Sequence, residues 1–84
     1  MERKSEVILY SKPGCHLCDE MKAEIQLAAC AELYTLREVD IEGDSTLLSQ
    51  YRYEIPVLLI DGVEAFRHRL CADDFKASLT GRRS

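Results

Sequence analysis

The amino-acid sequence predicts an α/β fold, a four-stranded mixed sheet flanked by helices in the order β-α-β-α-β-β-α. Three observations lead there. Apolar, β-prone runs at 7–10 (VILY) and 57–60 (VLLI) are each closed by turn residues, Pro13-Gly14 and Asp61-Gly62, as buried strands are. Between them Leu17, Met21, Ile25 and Ala28 recur at helical spacing. A strand–helix–strand unit then demands a parallel pair, and the Asp61-Gly62 hairpin signal adds an antiparallel one.

Each element has its own reason. The first strand, Val7 to Tyr10, ends at Pro13-Gly14. The first helix runs from His16 to about Cys30, with Glu20 and Glu24 on the face opposite its apolar stripe. A second strand, Tyr34 to Ile41, carries Leu36, Val39 and Ile41 and stops at Gly43. Asp44 or Ser45 caps a short helix holding Leu47, Leu48 and Tyr51. Ile55-Pro56 introduces the third strand, whose four apolar residues read as buried on both faces. The returning strand, Val63 to Leu70, is of mixed polarity and reads as an edge. Ala72 or Asp73 begins the last helix, with Phe75 and Leu79 inward and Gly81 near its end.

The 84 residues suffice for one small domain spanning 1–84, and 46% hydrophobic residues supply a core without structural disulfides. A net charge of −4 argues against nucleic-acid binding, which needs a basic face. The basic clusters are Arg67-His68-Arg69 and Arg82-Arg83, the latter read as a solvated tail. The sequence has no run long enough to span a membrane and no signal-peptide pattern at its start, so the expectation is a cytoplasmic protein with no membrane partner, monomeric by default.

The informative stretch is Ser11-Lys12-Pro13-Gly14-Cys15-His16-Leu17-Cys18. Cys15 falls at a loop-to-helix junction, where unpaired N–H groups and the helix dipole favour an anion. Its thiol pKa is expected to fall from about 8.5 toward neutrality. Cys18 lies one turn on, within ring-closing reach yet shielded by the helix. Cys15 is therefore the candidate nucleophile and Cys18 the resolving thiol. Lys12 and a protonated His16 would add positive charge, which Asp19 and Glu20 partly offset.

Three chemistries are open to the pair: a reversible disulfide, half of a metal site, or no chemistry. In a reducing compartment Cys-x-x-Cys speaks for redox or metal rather than a structural bridge. A closed zinc site wants four ligands. The remaining candidates are Cys30, Cys71, His16 and His68, and none forms a second tight pair. No metal ligand is assigned. Cys30 and Cys71 read as structural or incidental thiols.

The whole pattern resembles the glutaredoxin family of the thioredoxin superfamily. It is carried by the strand, Ser11-Lys12-x-x-Cys15-x-x-Cys18, and Ile55-Pro56 ahead of the third strand. Cys15-His16-Leu17-Cys18-Asp19-Glu20-Met21 with Phe66-Arg67-His68-Arg69-Leu70 looks most like the small DUF836-type members. The resemblance implies a thioredoxin-like fold and a thiol–disulfide oxidoreductase working in electron transport. Its substrate would be a disulfide-containing protein or small molecule. It would hold no bound cofactor, with glutathione or a reductase as electron donor.

The same resemblance implies a cis peptide at Ile55-Pro56 on a loop facing the cysteines. Ile55 and Pro56 would dock an extended thiol substrate through the Ile55 N–H and C=O. Lys12 would pair with a glutathione carboxylate, and His16 and Leu17 would shape the mouth. The departures are specific. Glu54 stands where a threonine is usual, Leu17 where an aromatic is frequent, and the glycine pair after the last strand is missing. Arg67 or Arg69 could replace those backbone contacts. A metal or iron–sulfur protein, or a non-catalytic binding module on the same fold, is the alternative.

Overall fold

The computed structural model describes residues 4–81. Arg82 and Arg83, read above as a solvated tail, lie outside the described residues, as does the start of the N-terminal segment. The elements are β1 (Ser5–Ser11), α1 (His16–Leu27), β2 (Tyr34–Asp40), α2 (Ser45–Tyr51), β3 (Val57–Ile60), β4 (Val63–Arg67) and α3 (Ala72–Gly81). Single 3-10 turns at Ala31–Leu33 and Ile41–Gly43 flank β2.

The sheet order is β2-β1-β3-β4. β1 pairs with β2 in parallel, whereas β3 runs antiparallel to both β1 and β4. The fold is thus an α/β four-stranded mixed sheet with three helices, as the sequence predicts. The two central strands are the two apolar runs, the pattern of strands covered on both faces. Val7, Leu9, Val57, Leu58 and Ile60 are all at most 1% exposed. Of these, Val7, Leu9, Leu58 and Ile60 pack with Met21 and Ile25 of α1 and Phe75 and Leu79 of α3 in one cluster. Tyr34 closes one side of it with an edge-on contact to Phe75, ring centroids 5.3 Å apart.

Three boundaries differ from the sequence expectation. α1 stops at Leu27, because Ala29 takes a left-handed conformation (φ 52°), so Cys30 lies beyond the helix and opens the following 3-10 turn. β4 stops at Arg67, where His68 also turns left-handed (φ 69°), so Arg69 and Leu70 belong to a loop. Leu36 is 43% exposed on the β2 edge rather than an apolar member of the core, while Ile41 is buried in the turn after the strand. The hairpin turn has positive φ at both Asp61 (52°) and Gly62 (83°), as a two-residue type I′ connection requires. The short-helix cap is Asp44, whose carboxylate accepts the Thr46 and Leu47 N–H groups.

Candidate active site

β1 delivers the chain to the loop Lys12–Cys15, and Gly14 reverses it in a left-handed conformation (φ 76°). A Cβ at Gly14 would meet nothing within 4 Å, so conformation rather than space selects glycine there. Cys15 then takes extended dihedrals (φ −89°, ψ 107°) as the N-cap of α1. Its Sγ accepts the Cys18 N–H at 3.1 Å, and its carbonyl accepts the Asp19 N–H. This is the bonding of a serine or aspartate N-cap, with sulfur in place of oxygen. Cys15 and Cys18 are joined as a disulfide with Cα atoms 5.2 Å apart.

The two sulfurs have different surroundings. Cys15 is partly exposed, whereas Cys18 is 1% exposed. Cys18 sits in a second, smaller cluster with Ile41 and Ile55, against which Tyr10, Cys15, Leu47 and Tyr51 pack. Tyr10 and Tyr51 stack at 4.8 Å, so the short helix α2 walls in the buried sulfur's neighbourhood.

That cluster brings the Ile55-Pro56 step against the cysteines. The Ile55–Pro56 peptide bond is cis, and both residues are buried. The Pro56 carbonyl accepts the His68 N–H at 2.8 Å, which ties the end of β4 to this step. One expected contact is already used: the Ile55 N–H donates to the Tyr51 carbonyl at 3.2 Å, closing the end of α2. The Ile55 carbonyl accepts no hydrogen bond among the described residues.

The other candidates are distributed around the mouth. Lys12 is exposed and has no carboxylate partner among the described residues. It lines a polar cleft of about 340 Å³ with Ser11, Asp19, Lys22, Glu38 and Asp40. His16 turns its Nε2 to Glu20 (3.1 Å), one helical turn on, instead of serving Cys15. Leu17, half-buried, opens a separate groove toward Leu70. Arg67 is not free for a ligand. It donates to both Glu64 carboxylate oxygens, at 3.0 and 2.7 Å, and pairs with Glu54. The Glu64 hydrogen bonds, with Glu54 adding, hold the Arg67 guanidinium more firmly charged than usual, and the same contact keeps the Glu64 carboxyl below the usual range. The carboxylate at the family's threonine position is therefore neutralised from β4.

Three contacts escape sequence reading because each joins residues far apart in the chain. The hydroxyl of Ser11, a residue 3% exposed, donates to Glu38 at 2.7 Å. Lys22 meets Glu38 at 3.3 Å, besides its local partner Asp19 three residues back, and Glu38 chiefly raises its pKa. Glu24 of α1 accepts the Ala72 N–H at the start of α3, 3.0 Å away. The parallel β1/β2 register, which sets Ser11 beside Asp40, could have indicated the first; no local signal indicates the last. Among the described residues, no group of three or more His, Cys, Asp or Glu is placed to hold a metal ion. Cys30 is buried, and burial raises its thiol pKa; Cys71 is exposed just before α3.

A disulfide capping the helix that follows the central strand of a β2-β1-β3-β4 sheet is the arrangement of the thioredoxin-like fold. The family model for the Glutaredoxin-like domain (DUF836) matches residues 6–80, and the chain belongs to that glutaredoxin-like family. It is 30% identical to the "Glutaredoxin-like protein YDR286C homolog" of Dictyostelium discoideum over 70 residues, 76% of this chain and 65% of that protein. The chain thus spans just under two thirds of that relative's length. Among solved structures it is similar to target protein XcR50 from X. campestris, with TM-score 0.76 and 27% identity over 89% of this chain and 96% of that one. A mutant thioredoxin from Halobacterium salinarum shares the fold, with TM-score 0.70 and 15% identity over 96% and 76% of the two chains. No helix among the described residues is long and apolar enough to cross a membrane.

Proposed function

We propose that the protein is a thiol–disulfide oxidoreductase in which Cys15 attacks and Cys18 resolves. The observation that carries this reading is the asymmetry of the pair: Cys15 is partly exposed and bonded to a helix N-terminal amide, while Cys18 is 1% exposed behind it. Amides at a helix start stabilise a thiolate, and the thiolate is the nucleophile.

In the reaction, the Cys15 thiolate attacks one sulfur of a substrate disulfide and expels the other as a thiolate, which takes up a proton. Cys18, losing its proton, attacks Cys15 of the mixed disulfide and expels the second substrate thiolate. Two electrons pass from the dithiol to the substrate, and the Cys15–Cys18 bridge closes. An external thiol, either glutathione or a dithiol reductase, reverses these steps and restores the dithiol. Ile55 and Pro56 border the substrate groove, where the open Ile55 carbonyl is the available backbone acceptor. Lys12 supplies unpaired positive charge at the loop. The working unit is taken as a monomer.

The test is a redox titration at defined glutathione/glutathione-disulfide ratios, with free thiols trapped by alkylation and each cysteine mapped by mass spectrometry. A reversible Cys15–Cys18 bridge with Cys30 and Cys71 still free supports the reading. A glutathione adduct on Cys15 in the same samples identifies glutathione as a partner in exchange. A pair that stays reduced across an oxidising range overturns the oxidoreductase role, leaving metal binding or a binding module on this fold.

A further inference from the structure

A groove of about 230 Å³ starts at Leu17, the residue before Cys18, and runs along α1 toward the start of α3. Met21 and Leu70 give it an apolar floor, Glu20, Glu24 and Arg69 line it, and the exposed His68 stands beside them. These three charges are not equivalent. Glu20 is more than half exposed and faces His16. Arg69 is exposed and unpaired among the described residues, so an ion pair formed with it is screened by water. Glu24 is half-buried, and its position is fixed by the Ala72 N–H at 3.0 Å.

We propose that Glu24 is a specificity-determining residue of this groove. Its anchored carboxylate selects disulfides whose group beside Leu17 is neutral or cationic, and disfavours anionic ones. The physical reason is occupancy. The Ala72 amide at the start of α3, which has no acceptor within its own helix, is a seat for a negative group at the groove's Glu24 end. The protein's own carboxylate fills that seat. A substrate carboxylate would have to displace Glu24 or lie against it, with only the exposed Arg69 and His68 in compensation.

This inference rests on the oxidoreductase reading and names its substrate class. The test uses the full chain, reduced and freed of reductant, so that the protein itself supplies the two electrons. Second-order rate constants are measured for glutathione disulfide, which is anionic, and for hydroxyethyl disulfide, which is neutral. Their intrinsic reactivities differ, so the readout is the change in their ratio between variant and wild type.

Glu24→Gln keeps an oxygen for the Ala72 N–H and removes the charge. It is expected to raise the ratio of anionic to neutral rates about tenfold, the scale of one charge at a helix terminus. Glu24→Ala, which also vacates the seat, is expected to raise it at least as far. An unchanged ratio in Glu24→Gln overturns the proposal. So does an Arg69→Ala variant that loses about tenfold toward the anion alone, since the groove would then be an anion seat. Wild-type protein that exchanges with neither disulfide overturns the oxidoreductase reading itself, a result distinct from an unchanged ratio.

Discussion

The Cys15 sulfur lies 3.1 Å from the backbone nitrogen of Cys18, so the residue that carries the second sulfur also donates its amide to the first. The two cysteines are thereby made unequal by one turn of helix. Cys18→Ser leaves that amide in place and removes only the second sulfur, the resolving one in the proposed mechanism. The variant should attack a disulfide at close to the wild-type rate and accumulate a mixed disulfide on Cys15, visible as a mass adduct. Cys15→Ser should form no adduct at Cys18, because that position is 1% exposed. Equal labelling of both single-cysteine variants by a bulky disulfide would contradict the division of roles.

Gly14 sets the approach of Cys15 through its φ of 76°. A side chain at Gly14 has room, so the cost of Gly14→Ala is the left-handed conformation itself, about 1–2 kcal/mol. Gly14→Asn should cost less, since asparagine visits that region more readily. Urea denaturation of the two variants checks the order. An alanine variant as stable as wild type would mean that the turn relaxes to another geometry.

Cys30 and Cys71 should respond oppositely to alkylating agents. Burial raises the Cys30 pKa, with Glu32 adding to the effect, whereas Cys71 is exposed. In reduced native protein at pH 8, Cys71 should label readily and Cys30 only on unfolding. The linkage has a definite sign. A thiol whose folded pKa lies above its unfolded value of about 8.5 contributes stability that is intact below that pH and declines as pH rises through the folded value. Tyr34, its pKa also raised by burial, acts in the same direction at higher pH. Chemical denaturation between pH 7 and pH 10 should therefore show falling stability. Cys30→Val should flatten the first part of that fall.

The sequence made the sheet legible because its two central strands are continuous apolar runs and its turns carry Pro13-Gly14 and Asp61-Gly62. It made the cysteine pair legible because three-residue spacing and a helix start are both local features. The ends of α1 and β4 were less legible. Ala29 and His68 take left-handed conformations that glycine usually signals, and neither residue type announces one in the sequence. Contacts such as Glu24 to Ala72 and Glu54 to Arg67 join positions separated by 48 and 13 residues, so no window of sequence contains the reason for them. Glu54 is the clearest case. Read alone, it is a negative charge beside the Ile55-Pro56 step; in the fold, an arginine of the neighbouring strand answers it.

The Glu54–Arg67 pair makes a last prediction about magnitude. Side chains 36% and 40% exposed remain in contact with water, which weakens their attraction, and holding two long side chains together costs entropy. A double-mutant cycle with Glu54→Ala and Arg67→Ala should give a coupling of about 0.2–1 kcal/mol. Because Glu64 holds the guanidinium from the other side, Arg67 is already oriented when Glu54 meets it. Repeating the cycle in a Glu64→Ala background should therefore lower the coupling. Raising the salt concentration to about 1 M, where the Debye length is about 3 Å, should lower it as well. A coupling of several kcal/mol that salt leaves unchanged would mean that the pair is shielded from water. Glu54 would then act as a structural clamp on the Ile55-Pro56 step rather than as a neutralised surface charge.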